Sequence, residues 1–249
     1  MTPIHGLILA GGEGSRLAAE GYPTPKALVP IRGRPLVVSQ VETLARLGCS
    51  TVTVMVREEF HAAVERAIAE TRVNSSVSCP VTVAPCQTPT SAHTLVAGMA
   101  RVPAGPVFCT MVDTVMPPTS WARAYGETVR DLAAGADAVL IVTPFVHDES
   151  PLYAVRGREG LVSALESTPG ADRVVTGGVY GFGVAARKRA AEAVDEGVRR
   201  MRGFLQRLIA GGARVTAVEI EKIVDLDRIA DLTLVNQWLE QSPDWVNTG

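Results

Sequence analysis

Cysteine is scarce and scattered in this 249-residue chain: Cys49, Cys79, Cys86 and Cys109, with no C-x-x-C pair. That spacing argues against a disulfide framework or zinc site and leaves buried or incidental thiols. His5, His61, His93 and His147 are equally dispersed and show no ligand spacing, so each reads as structural or exposed. No apolar run approaches the roughly 20 residues that span a bilayer. The chain opens on a strand-like run with neither a basic n-region nor a cleavage site, so a cytoplasmic protein without a membrane partner is expected. Basic excess is missing too. A formal net charge of -2 leaves no footprint for nucleic-acid backbone. Internal repeats and low-complexity segments are absent, as are the hexapeptide repeats of an appended β-helix.

What is present is a globular pattern. Hydrophobic residues make up 47% of the chain, ample for a sizeable core. Short β-branched runs alternate with amphipathic stretches, which implies parallel strands with right-handed crossovers. Strands are expected over 51–56, 81–86, 107–112, 136–142 and 213–220, and helices over 35–47, 58–70, 120–134, 187–194 and 199–210. Gly48 is placed to end the first of these helices. Between 150 and 182 the pattern is less regular, with shorter strands at 152–155, 161–162 and 174–182. The arginines of 187–207 read mostly as a solvated face, from which one or two could reach a phosphate. Thr90 and Ser91 stand where hydroxyls would cap a helix running to about Arg101.

The stretch that organises the chain is Leu7-Ile8-Leu9-Ala10-Gly11-Gly12-Glu13-Gly14-Ser15-Arg16-Leu17, followed by Pro25-Lys26. It reads as a buried strand entering a glycine-rich turn, with two cations beyond it. Glycines let backbone N–H groups approach an anion, and Arg16 and Lys26 suit phosphate. An ordinary tight turn with two solvated cations would look the same. Neither G-x-G-x-x-G nor a G-x-x-x-x-G-K-[ST] loop is present. Asp113, at the end of the 107–112 strand, occupies the carboxyl-end position where open α/β sheets gather ligands.

L-A-G-G-E-G-S-R-L at 9–17, with P-K-A-L-V-P-I-R-G-R-P-L at 25–36, resembles the two-part signature of the nucleotidyltransferases that activate sugar phosphates. The resemblance implies a Rossmann-like three-layer α/β/α fold around a mostly parallel mixed sheet. It implies one domain over 1–249, with an NTP-binding half (about 1–135) and an acceptor-binding half (about 136–249). The nucleotide would lie on Leu9, Ala10, Gly11, Gly12, Gly14 and Ser15, with Arg16 on the leaving pyrophosphate and Lys26 on the α-phosphate. Gln87 and Ser91 would meet the base, although Ser91 stands where many members have glycine. Asp113 and Asp225 would hold Mg²⁺, Asp225 lying in a D-L-D-x-x-x-D-L element where Asp227 reads alternatively as a helix N-cap. Gly178 and Tyr180 resemble the G-G-x-Y segment on the sugar side, though Tyr180 could simply pack in the core.

One departure bears on the acceptor. Ser167 replaces the lysine that holds the sugar phosphate in many relatives, so Lys222 becomes the candidate cation, with Arg202 or Arg173 behind it. The acceptor is then open to choline phosphate, phosphonates or cyclitol phosphates as well as sugar 1-phosphates. The expected partners are an NTP and a phosphorylated small molecule, and the chain could form a homo-oligomer. A molybdenum-cofactor-type nucleotidyltransferase and a non-catalytic nucleotide sensor are the competing readings. Against the sensor stand the intact Arg16, Lys26, Asp113 and Asp225.

Overall fold

The computed structural model describes residues 2–12, 14–22, 25–72, 79–147, 150–169 and 173–241. Glu13 of the glycine turn lies outside them. In chain order the elements are β1 (His5–Ala10), α1 (Ser15–Ala19), β2 (Pro30–Ile31), β3 (Arg34–Pro35), α2 (Leu36–Arg46), β4 (Val52–Arg57), α3 (His61–Arg72) and β5 (Val81–Cys86). Next come α4 (Ser91–Arg101), β6 (Val107–Met111), β7 (Thr114–Val115), α5 (Pro118–Ala133) and β8 (Ala138–Thr143). The chain continues with β9 (Tyr153–Arg156), β10 (Val162–Glu166), β11 (Val174–Phe182), α6 (Val184–Asp195), α7 (Met201–Ala210), β12 (Val215–Glu219), β13 (Val224–Asp225) and α8 (Ile229–Gln241).

The central sheet runs β5-β4-β1-β6-β11-β8-β12, and among the described strands of this row β11 alone runs against the others. The fold is thus a mostly parallel mixed sheet, as expected. Alternation along β1 divides the core: Leu7 and Leu9 face one side, Ile8 and Ala10 the other. The first side is covered by α4, α6 and α7, through Leu95, Ala186 and Phe204. The second is covered by α2, α3 and α5, through Val41, Val64 and Trp121. Those are the three layers.

Local chemistry accounts for most element boundaries. Gly48 adopts φ 94° after α2, with Gly48 N donating to Ala45 O and Cys49 N to Leu44 O, the glycine-terminated helix end expected there. β11 is different. Read from sequence as one of several shorter strands, it spans nine residues and pairs with β6, β8 and β9. Its register shifts between Thr176 and Tyr180, so Gly177-Gly178 forms a bulge. Below the bulge β11 lies against β6; above it, where β6 has ended, β9 takes that place. The gap between the end of β6 and the β9–β10 hairpin is where the site forms.

Two expectations are corrected here. Thr90 is the N-cap of α4, but its hydroxyl bonds the His93 ring at 2.7 Å rather than a backbone N–H. Arg187 is no solvated arginine: its guanidinium donates to the carbonyls of Met99, Val102 and Pro103, closing the C-terminal end of α4.

Candidate active site

β1 delivers the glycine turn, but the three glycines do different things. Gly14 needs its missing side chain for conformation, sitting at φ 64° as the N-cap of α1. Gly11 packs closely: a Cβ there would stand 3.2 Å from the Thr94 side chain. Gly12 faces open space and has no positive φ, so nothing packed against it requires its missing side chain. Leu9 and Ala10 are buried in β1, leaving only their main chain for a ligand. Ser15 is exposed at the start of α1.

Lys26 follows in a single 3-10 turn, its side chain only 12% exposed. Its Nζ donates to Asp113 Oδ2 at 2.7 Å and also pairs with Asp227 Oδ1. Arg16 Nη1 donates to the other Asp227 oxygen at 2.7 Å. Burial by itself would push the Lys26 ammonium down, but Asp113 and Asp227 outweigh it and hold the group above the usual lysine range. Lys26 is therefore a fixed cation.

The two expected metal carboxylates meet through a very short ladder. Asp113 lies in the turn between β6 and β7, and β13 pairs antiparallel with β7, setting Asp225 opposite Thr114. Leu226 N donates to Asp113 O at 2.9 Å, and Thr114 Oγ1 donates to Asp225 Oδ1 at 3.0 Å. Val115, Val224, Leu226, Val235 and Leu239 form a small core beneath this ladder. Burial first, and the Asp113 carboxylate second, push the Asp225 carboxyl up to about 7. Two oxygen donors sharing too little positive charge are a donor set that fits Mg²⁺. Among the described residues no group of three or more His, Cys, Asp or Glu is arranged to hold a metal ion.

Asp227 corrects another expectation. It does not cap α8. Asp231 Oδ2 accepts the N–H groups of Asp227 and Arg228, at 2.8 and 2.7 Å, and Glu20 accepts that of Ile229 at 2.8 Å. Asp227 instead faces Arg16 and Lys26. Its alternation with Asp225 was the available signal, because residues i and i+2 of an extended segment share a face.

Asp113, Asp225 and Asp227 border a cavity of ≈ 640 Å³ with Ser91, Gly178, Tyr180 and Arg202. Arg199 and Arg200 line it too, from the run of arginines read mostly as a solvated face with one or two reaching toward a phosphate. The Ser91 hydroxyl oxygen accepts the Met201 N–H at 3.1 Å, while Ala92 N donates to Arg199 O at 3.2 Å. The arginine turn is thereby pinned to the start of α4. Arg202 Nη2 donates to Ser150 O at 3.0 Å on the opposite wall. Tyr180 is buried and stacks on Phe182, and burial raises its phenol; it is a core residue whose edge reaches the cavity. A Cβ on Gly178, at φ 72°, would collide with Thr114 Oγ1 and stand 3.2 Å from Asp225 Oδ1. Its glycine thus makes room for the carboxylate ladder.

Three of the base and acceptor candidates fall outside the cavity. Gln87 is exposed just beyond the end of β5. Lys222, proposed from sequence as the acceptor cation, places Nζ 4.7 Å from the Phe145 ring centroid and 4.5 Å from that of Trp238. Its ammonium is held by aromatic faces, and burial lowers its pKa. Arg173 is likewise exposed and does not border the cavity.

The MobA-like NTP transferase domain family matches residues 6–207 of the chain. Over 53 residues the sequence is 43% identical to a mannose-1-phosphate guanyltransferase from Pichia angusta, a stretch covering 21% of this chain and 15% of that protein. Among solved structures, the inositol-1-phosphate CTP transferase from T. maritima superposes with a TM-score of 0.75 at 17% identity, covering 94% of this chain and 96% of that one. A UDP-glucose pyrophosphorylase complexed with UDP-glucose gives 0.74 at 15% identity, covering 96% and 99%. At such identities the likeness is one of fold. The family match, which runs through most of the chain and includes the glycine turn, Lys26 and Asp113, places the protein in the MobA-like NTP transferase domain family.

Proposed function

We propose that the protein is a Mg²⁺-dependent nucleotidylyltransferase, joining an NTP to a phosphorylated small molecule and releasing pyrophosphate. The observation that carries this reading is the convergence of Lys26, Arg16, Asp113, Asp225 and Asp227 on one mouth of the sheet, beside the glycine turn. An oxygen of the acceptor phosphate attacks the α-phosphorus. A new P–O bond forms, the bond to the bridging oxygen breaks, and pyrophosphate departs with the electron pair. Phosphomonoesters have a second pKa near 6, so the attacking group is largely ionised at neutral pH and needs no general base.

The difficulty is then to bring polyanions together and stabilise equatorial charge. Lys26 supplies a fixed ammonium at the α-phosphate and Arg16 a guanidinium at the leaving pyrophosphate. Both now face Asp227, so the triphosphate exchanges with that carboxylate on binding. Asp113 and Asp225 would hold Mg²⁺, which would supply positive charge against the phosphates and the charge that develops in the transition state. Leu152, Met201, Leu205 and Tyr180 offer an apolar wall to the acceptor body, and the arginine turn faces its charge.

The acceptor classes to test include inositol 1-phosphate, named in one structural neighbour, and sugar 1-phosphates, together with phosphocholine and aminoethylphosphonate. The experiment is pyrophosphate release with Mg²⁺ across five NTPs and this panel, using Asp113→Ala as control. Release that needs one NTP and one acceptor, and is lost in the variant, supports the reaction and names both substrates. Nucleotide binding without release from any pair would favour a sensing module instead.

A further inference from the structure

Gln40 lies on the inner face of α2 and is 4% exposed. Its Nε2 donates toward three main-chain carbonyls: Met111 O at 2.9 Å, Val112 O at 3.1 Å and Thr114 O at 3.1 Å. Two N–H bonds serving three acceptors must be shared among them. These carbonyls flank Asp113 on both sides, where β6 has ended and β7 is only two residues long. Buried turn carbonyls lack the regular ladder partners of a strand, and a side-chain donor takes their place.

The rest of the turn is fixed from other directions. Val112 N donates to Leu9 O at 3.1 Å, and Asp113 O accepts from Leu226 N. Thr114 links the two carboxylates: its carbonyl accepts from Gln40 and its hydroxyl donates to Asp225 Oδ1. Gln40 therefore holds the main chain beneath Asp113, and one residue away from Asp225, without bonding either carboxylate. An apolar residue could fill the same place on α2 but could not donate.

We propose that Gln40 is a positioning residue for the metal-binding pair: its carboxamide sets the turn from which Asp113 projects and, through Thr114, the spacing between Asp113 and Asp225. This rests on the reading of those two aspartates as the Mg²⁺ carboxylates. A purely structural glutamine would cost stability when replaced and leave metal affinity alone. A positioning glutamine changes metal affinity selectively, as groups that orient metal ligands do.

The test compares Gln40→Met, which keeps the shape and removes the donors, with Val41→Ala, which weakens α2 packing on the neighbouring position. Mn²⁺ binding is titrated by electron paramagnetic resonance with pyrophosphate present, alongside thermal midpoints, the Mg²⁺ activation constant and KM for the NTP. Gln40→Met is expected to weaken Mn²⁺ binding about 10–100-fold. The Mg²⁺ activation constant should rise in step while KM for the NTP stays near wild type. Val41→Ala should lose stability with Mn²⁺ affinity intact. Wild-type Mn²⁺ affinity in folded Gln40→Met, or an equal loss in Val41→Ala, overturns the proposal. Should Gln40→Met not fold, Gln40→Asn keeps the donors on a shorter stem and is expected to weaken Mn²⁺ binding in the same direction; unchanged affinity there overturns it equally. Asp113→Ala separates the two levels. If it binds Mn²⁺ like wild type, the metal reading itself fails; if it loses Mn²⁺ while Gln40→Met does not, only the positioning role fails.

Discussion

Lys26 and Lys222 were both phosphate-binding candidates, and the fold gives them opposite surroundings. Around Lys26 are carboxylates, Asp113 and Asp227, which raise its affinity for a proton and hold the ammonium at the mouth of the sheet. Around Lys222 are the faces of Phe145 and Trp238, which hold its ammonium while burial lowers its pKa. One region keeps a cation charged between two carboxylates. The other uses a cation as packing between two rings. Residue type alone could not tell these apart, since what faces a cation decides its work.

The largest expected effect tests the first region. Lys26→Ala should lower turnover by roughly 10²–10³, the usual consequence of losing one transition-state donor. Steady-state pyrophosphate release checks this, and near-wild-type turnover would remove Lys26 from the chemistry. Gly178→Ala comes next, because it demands a left-handed alanine and displaces the Thr114–Asp225 hydrogen bond. Strain of this kind costs about 1–3 kcal/mol, so both the denaturant midpoint and turnover should fall together.

A smaller effect has the opposite sign. The folded protein raises the Asp225 carboxyl from 3.8 to about 7, so it binds that proton more tightly than the unfolded chain does. Without metal, ionised Asp225 therefore opposes folding above this range, and the opposition fades as pH falls through 7 toward 4. Asp225→Asn should raise the metal-free melting midpoint at pH 8 by several °C. The gain should vanish near pH 4, while turnover is lost at every pH. A variant less stable than wild type at pH 8 would contradict the charge argument. The smallest effect belongs to the second region: Lys222→Met should leave the KM for the acceptor unchanged and cost about 0.5–2 kcal/mol for the lost cation–π contacts. A large rise in acceptor KM would return Lys222 to the site and erase the contrast with Lys26.

By itself the sequence determined the layered α/β architecture, most strand and helix positions, and Lys26 and Asp113 as neighbours of the sheet mouth, whereas Asp225 was indicated only by the resemblance of its D-L-D-x-x-x-D-L element to the family. Those are local matters: apolar alternation, glycine at a φ of 64° or 94°, and a carboxylate immediately after a buried strand all act within a few residues. Tertiary structure alone decided that Asp227 faces Arg16 and Lys26 instead of capping α8. It also decided that Arg199 and Arg200 line the cavity while Lys222 turns away, that Ser91 anchors the arginine turn, and that Gln40 supports the carboxylate ladder. Each of these depends on which distant main-chain or side-chain group the packed layers bring within hydrogen-bond reach. Long-range packing sets that distance, and neither propensity nor periodicity carries it.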